Sequence, residues 1–388
     1  MRFRTDRNLQ LLYGSLALWM LGVALYDGLI PIYARQLGAS PVQLGSLFTI
    51  KNLGLASGFL IGWLVADRMN RRTLMFVSWF MGLPVPLLLA VAPTYLWLLP
   101  GLLLYELTFF ALPAIHAYVA ERVPADELAS AFGAMAAITS IGFLISPALG
   151  GVIADRWGIR TVLLIAFALF VVSTVLVLRM ERGGPGAVPA GSSGRLTWRD
   201  LSPAAPALLL YVGVNFLVQI TNPFLPPFLR EVRGISLSEI GVLASSQALG
   251  AIVLTPIAGR LGDRLGHTPT LVGQLGVHTS GLLLTAYGPA PLLIPAAALR
   301  CRAPLATLTQ SMIGATAPAA MLGRTFALAG MLGAALSAAG SFAGGFAYRA
   351  DPAYPLLISV LAAVVMALAL LLRPLRRPRP AGAPDAHP

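Results

Sequence analysis

Residues 62–72 read GWLVADRMNRR and residues 259–269 read GRLGDRLGHTP. Asp67-Arg68 of the first stretch matches Asp263-Arg264 of the second, 196 residues on, and each stretch is a short basic connection between long apolar runs. Two more matches fall in the same order. SPALGG at 146–151 pairs with GSFAGG at 340–345, and VPADELASAFG pairs with APAAMLGRTFA through Pro124 and Pro318, both at an offset of 194. Three matches in one order imply that the chain is a duplication, and they divide it near its middle.

What the halves are made of follows from composition. Of 388 residues, 57% are hydrophobic and 11% charged, with a mean hydropathy of +0.79. No water-soluble core can hide that much apolar surface. The apolar residues come in stretches such as Thr161–Met180 and Tyr354–Leu372, the length that crosses a hydrocarbon slab of roughly 30 Å. Spans are expected at about 8–33, 41–66, 73–91, 95–120, 128–153, 161–180, 203–229, 237–259, 269–288, 291–316, 323–347 and 354–372. The fold expected is therefore an all-α membrane protein of twelve transmembrane helices in two pseudo-symmetric six-helix bundles, 1–180 and 203–372. They are joined by a Gly-, Pro- and Ser-rich linker at 181–202 and followed by a basic tail at 373–388. The basic N-terminus runs straight into a long first span, which reads as an anchor rather than a removable signal.

About two thirds of the 27 Lys and Arg fall in loops that share a side with the N-terminus, which places both termini in the cytoplasm of a plasma (inner) membrane. The net charge of +12 is thus accounted for by topology and anionic headgroups, not by nucleic acid, for which there is no soluble basic domain. One cysteine, Cys301, permits no disulfide within the chain. No HExxH, GxSxG or GxxxxGK[ST] pattern occurs, so neither metallo- or serine hydrolysis nor direct use of ATP is expected, and no cofactor or metal is implied.

Charged residues inside a bilayer are costly and mark function by default. Asp27, Lys51, Glu106, Arg300 and Arg302 fall inside expected spans. At 1.5 Å of rise per residue they lie about 9 to 16 Å deep, near one level, where acids and bases can offset one another. Lys51 is the one lysine beside 26 arginines, and an ammonium, unlike a guanidinium, can lose its proton when buried. The duplication pairs Asp27 with Asn222, Lys51 with Gln247 and Glu106 with Arg300, so polarity recurs at all three positions. Trp19, Tyr26, Phe109 and Phe110 lie near those charges in sequence and could line an apolar pocket, and His116 falls on the stripe of Glu106 and Pro113.

The loop GRLGDRLG, with Gly259, Asp263, Arg264 and Gly266, resembles the loop motif of the major facilitator superfamily, roughly G-x-L-A/G-D-R-x-G-R-K. The first copy, with Asp67, Arg68 and Arg71, departs from it at Trp63 and Asn70. Gly142, Ser146, Pro147, Gly150 and Gly151 resemble the fifth-helix motif of its exporters, with Gly340 and Gly344 as the repeat counterpart. Small residues four apart let helices approach closely in lipid, so both helices are expected to be contact helices. The resemblance implies a gating role for the loops and a central cavity lined by spans one, four, seven and ten, each of which carries one of Asp27, Glu106, Asn222 and Arg300. The arginine that many drug-exporting members carry in helix four is absent here, and Tyr105-Glu106 stands in that segment.

The function expected is secondary active transport by alternating access: a monomer that exports a small amphipathic or hydrophobic compound in exchange for protons, with Asp27 and Glu106 as protonation sites. The alternative is uptake or facilitated diffusion of a polar or anionic metabolite, with Arg300 and Lys51 binding a carboxylate and the acids merely neutralising them. A non-transporting membrane sensor would keep the fold but add an output domain, where here only RPLRRPRPAGAPDAHP follows the last span.

Overall fold

The computed structural model describes residues 6–65, 71–124, 127–180, 201–318 and 322–372, with the side chains of 63–65, 71 and 323 excluded. Those residues form seventeen α-helices and no strand. In chain order these are α1 (Arg7–Tyr26), α2 (Ile30–Gln36), α3 (Pro41–Val65), α4 (Arg71–Gly82), α5 (Val85–Ala90), α6 (Leu98–Leu107), α7 (Leu112–Arg122), α8 (Leu128–Trp157) and α9 (Ile159–Leu178). The second half follows with α10 (Ala205–Thr221), α11 (Leu225–Glu231), α12 (Leu237–Leu265), α13 (His267–Tyr287), α14 (Leu293–Leu299), α15 (Ala303–Thr316), α16 (Leu322–Ala350) and α17 (Tyr354–Leu371).

Among the described residues, ten stretches are long and apolar enough to cross a membrane, against the twelve expected. The two that fall short are helical all the same. One is α13, whose polar content, with His267, Gln274, His278 and Ser280, lowers its hydropathy. The other is the stretch at 291–316, which is cut into α14 and α15 at Arg300–Arg302, so neither piece has the length of a span.

Several expected spans are interrupted halfway, and proline is the cause. Asp27–Leu29 is a 3₁₀ turn between α1 and α2, and Pro31 in the next turn cannot donate to the carbonyl four residues back, that of Asp27. Pro226 stands in the same relation to Asn222 at the break between α10 and α11, and Pro304 to Arg300 at the break between α14 and α15. Between α6 and α7 the 3₁₀ turn Thr108–Ala111 precedes Pro113. Each break thus sits at or beside one of the polar residues singled out in the sequence.

Glycine decides which helices touch. A methyl group on Gly150 would strike the carbonyl of Leu25, and one on Gly344 the carbonyl of Ile220. At the ends of the same helices Gly151 faces the carbonyl of Leu237 and Gly345 that of Pro41. Gly45 meets Ser341 and Gly241 meets Pro147, again carbonyl against glycine. α8 and α16 are therefore contact helices, as their motifs suggest, and each packs on α1 or α10 of its own half and on α12 or α3 of the other.

The two halves meet mostly at one end. One large apolar cluster draws on both, with Tyr33, Leu44, Val162, Phe224, Ile240, Leu293 and Leu356 among its members. Toward the other end, the clusters around Leu12 and Phe170, around Leu271 and Leu305, and around Leu208 and Ile313 each come from one half. Polar bonds reinforce the joined end. Arg35 pairs with Glu231 at 2.9 Å, and the Asp155 carboxylate accepts from the backbone amides of Leu237 and Ser238, at 3.1 and 2.7 Å. An acid there caps the free amides at the start of α12, where the helix dipole favours negative charge.

If the glycine contacts hold this end shut, Gly241→Val should loosen it. In a Cys301→Ser background, a cysteine introduced by Ser341→Cys, at a position now fully buried, should react with a maleimide several-fold faster once Gly241 is valine. An unchanged labelling rate would remove the contact from the closure.

Candidate functional site

Lys51 leaves α3 in the middle of the first half, and its ammonium lies 3.4 Å from Asp27 Oδ1 and 3.4 Å from Glu106 Oε1. Three helices supply the three charges: α3, the break after α1, and α6 just before its own break. The side chain of Glu106 is 6% exposed, that of Lys51 18% and that of Asp27 46%, so the triad is shut in on the Glu106 side and open on the Asp27 side. The Lys51 ammonium also lies 5.3 Å from the centre of the Phe48 ring.

A glycine stripe positions this group. Gly54, Gly58 and Gly62 recur every four residues on α3. A methyl on Gly58 would come within 2.7 Å of the Glu106 carbonyl oxygen, and one on Gly62 within 2.8 Å of that of Phe110. Backbone contact between α3 and the α6–α7 break brings Lys51, one turn before Gly54, onto Glu106. The stripe is a plain G-x-x-x-G-x-x-x-G in the sequence, and that spacing was the signal for it.

The second half holds the repeat counterparts differently. Gly250, which pairs with Gly54 in the duplication, faces the carbonyl of Ala298. Asn222 is exposed, Gln247 half-buried and Arg300 8% exposed, and none of the three side chains makes a hydrogen bond or ion pair among the described residues. Arg300 Nε is fully enclosed without a partner. Its backbone packs on α13, where a methyl at Gly281 would lie 2.7 Å from the Arg300 amide nitrogen and where the His278 ring lies against the Arg300 backbone. Lys51 is thus neutralised by two acids, whereas Arg300 faces no acid among the described residues.

The aromatic pocket is also corrected. Trp19 is stacked on Phe170 at 3.9 Å between ring centres and buried in the packing of the first half, and Tyr26 and Phe110 are buried with it. Of the four aromatics only Phe109 keeps exposed surface, edge-on to Phe59 and Tyr105. His116 is exposed and edge-on to Phe132, away from the triad.

At the open end, Asp67 and Arg68 lie outside the described residues, as does the side chain of Arg71. Asp263 and Arg264 are exposed, and neither forms an ion pair with a described residue. Gly266 ends α12 with φ of 94°, a conformation that explains the glycine of the motif, while Gly259 has nothing near its α-carbon. Gly142 packs on Met20, and Ser146 and Pro147 are buried where α8 meets its neighbours. Gly340 packs on the Phe216 carbonyl.

A family model described as Major Facilitator Superfamily matches residues 12–218 and 207–388. The Multidrug resistance protein MdtG of Klebsiella pneumoniae (strain 342) is 29% identical over 283 residues, which cover 68% of this chain and 67% of that one. The Multi-drug resistance efflux pump PmrA homolog of Lactococcus lactis subsp. lactis (strain IL1403) is 28% identical over 259 residues, 63% of this chain and 64% of its own. Among solved structures, the nucleoside transporter NupG superposes with a TM-score of 0.78 at 16% identity, over 95% of this chain and 98% of that one. A bacterial homologue of the lysosomal transporter Spinster, in an inward-facing and unoccupied conformation, gives 0.76 at 15% identity, over 95% and 97%. At such identities the structures speak for the fold alone.

Compensation inside the triad has a measurable consequence. Lys51→Met leaves two carboxylates, one of them deeply buried, and should cost about 3–5 kcal/mol, the usual penalty for breaking a buried ion pair from one side. Adding Glu106→Gln should return most of it. Melting of the purified single and double variants in detergent tests this, and a double variant no more stable than Lys51→Met would show that the charges are not coupled.

Proposed function

The chain belongs to the Major Facilitator Superfamily, and from that premise we propose that it is a proton-coupled exporter of small amphipathic or hydrophobic compounds, working by alternating access. It is a membrane transporter and not an enzyme. The observation that carries the proposal is Lys51 held 3.4 Å from each of Asp27 and Glu106 beside breaks in two spans. Two carboxylates sharing one ammonium bear a formal charge of −1, so one proton can join the group without leaving any member unpaired. Asp27, the more exposed acid, is the one that a proton reaches first. Relatives whose printed names are multidrug resistance and efflux proteins support the substrate class.

In this reading the chain has twelve spans in two pseudo-symmetric six-helix bundles, with both termini cytoplasmic in the inner membrane. Support comes from the glycine contacts, which recur in pairs such as Gly150 with Leu25 and Gly344 with Ile220, and from the paired breaks at Asp27 and Asn222. The joined end then faces outward, and the structure is an inward-open state. Asp263 and Arg264 are exposed and form no ion pair among the described residues, as a gate should when that side is open. They would close it by pairing charge with helix ends once Arg35–Glu231 and the Asp155 cap separate.

Proteoliposomes carrying a pH gradient and a panel of amphipathic dyes test the proposal. Asp27→Asn should abolish gradient-driven accumulation while leaving the protein folded, since Asn already occupies the repeat-related position 222. Wild-type pH-driven flux in that variant would sink it.

Lys51→Arg separates a titrating lysine from a fixed counter-charge. A guanidinium stays ionised and keeps its carboxylate partners ionised, so coupled transport should fail while substrate binding survives. Full gradient-driven transport at normal expression would return Lys51 to a purely structural role.

A further inference from the structure

Membrane interiors tolerate a fixed charge only when something compensates it. In the first half Asp27, Lys51 and Glu106 compensate one another. Their counterparts in the second half, Asn222, Gln247 and Arg300, are all hydrogen-bond donors, contain no acid and pair with nothing among the described residues. Arg302, two residues on, is exposed and likewise unpaired. The second half therefore carries two uncompensated guanidinium groups, and Arg300 is more than nine-tenths buried with an enclosed, unsatisfied Nε.

The backbone at that place has the same electrostatic sense. α15 starts at Ala303, directly after the break, and no side chain caps its first turn. Fourteen residues of helix thus present their positive end, with free amides, beside the two arginines. Phe59 and Phe109 of the first half keep partly exposed rings, and a methyl on Gly330 of the second half would lie 3.7 Å from the Phe59 ring. A cationic, donor-rich wall and an apolar wall suit a molecule with one anionic end and one greasy end.

We propose that the break in the tenth expected span, with Arg300 and Arg302 and the amides of Asn222 and Gln247, receives the anionic head of an amphipathic organic acid. Labour is then divided between the halves: the ion-paired first half moves the proton and the cation-rich second half selects the substrate. This rests on the transporter reading above and narrows its substrate class.

The purified protein is titrated in detergent, at fixed pH and without a gradient, with 4-phenylbutyrate, 4-phenylbutanol and 4-phenylbutylammonium, following the shift in melting temperature. The carboxylate should bind at least tenfold more tightly than the alcohol, and the ammonium should bind most weakly. Arg302→Gln and Arg300→Gln should each cut the preference for the carboxylate to under threefold. Arg300→Lys, which keeps the charge if the glutamine variant folds poorly, should retain part of it. No binding of the carboxylate, equal binding of all three, a preference for the ammonium, or a full carboxylate preference in the Arg302→Gln variant would overturn the proposal. Because the measurement uses no proton gradient, loss of pH-driven flux bears on the coupling reading and leaves this one standing.

Discussion

Two helices can meet backbone to backbone only where one of them has no side chain, and the positions of those meetings set nearly everything else in this molecule. In lipid there is no water to expel from between helices, so close packing must supply the attraction. Gly45, Gly151, Gly241 and Gly345 put carbonyls of one half against α-carbons of the other and hold one end together. Gly54, Gly58 and Gly62 do the same between α3 and the α6–α7 break, and without that approach Lys51 could not reach Glu106. The same contacts define a hinge region by their distribution: backbone contact where the halves join, separate side-chain clusters where they part.

A second constraint acts through proline. A proline four residues after Asp27, Asn222 or Arg300 denies that residue's carbonyl its usual helical donor and interrupts the helix there, and the Asp27 carbonyl takes the Ile30 amide instead, in a medium where unpaired backbone groups are costly. Such interruptions persist only where protein or a water-filled cavity can serve the freed groups. Polar side chain and broken backbone therefore come as one unit, and where two or three such units share a level they make a site. In the first half the unit is closed by ion pairing. In the second it is left with donors facing outward from the break.

Much of this was legible beforehand. The long apolar helices follow from the length of the apolar runs, and position along a helix from rise per residue, which are properties of the chain alone. Azimuth is not. Tyr26 stands beside Asp27 and Trp19 about two turns before it, yet both turn into packing, because a helix places neighbours in sequence about 100° apart and nothing in a single sequence fixes which face meets which helix. The same holds for Lys51 and Arg300, which are expected at one level: the glycines of α3 gave Lys51 to Glu106, and Gly281 drew the Arg300 backbone onto α13. The break at Arg300–Arg302 was visible as Pro304, yet its cost to span length was not counted.

The repeat-related positions also separate what packing keeps from what charge changes. Contacts that shape the bundle are kept in both halves: Gly150 and Gly344, Gly45 and Gly241, Gly54 and Gly250. Side chains at the breaks are not kept, for an acid became an amide at 27 and 222, a base became an amide at 51 and 247, and an acid became a base at 106 and 300. If the halves rock on one interface, as proposed above, packing must stay matched, since an unmatched glycine would favour one state permanently. Charge must differ, since two identical ion-paired sites facing each other would leave neither free to change its protonation in response to the other. Conserved contact with divergent charge is thus what a rocking, coupled transporter built from two copies of one fold requires.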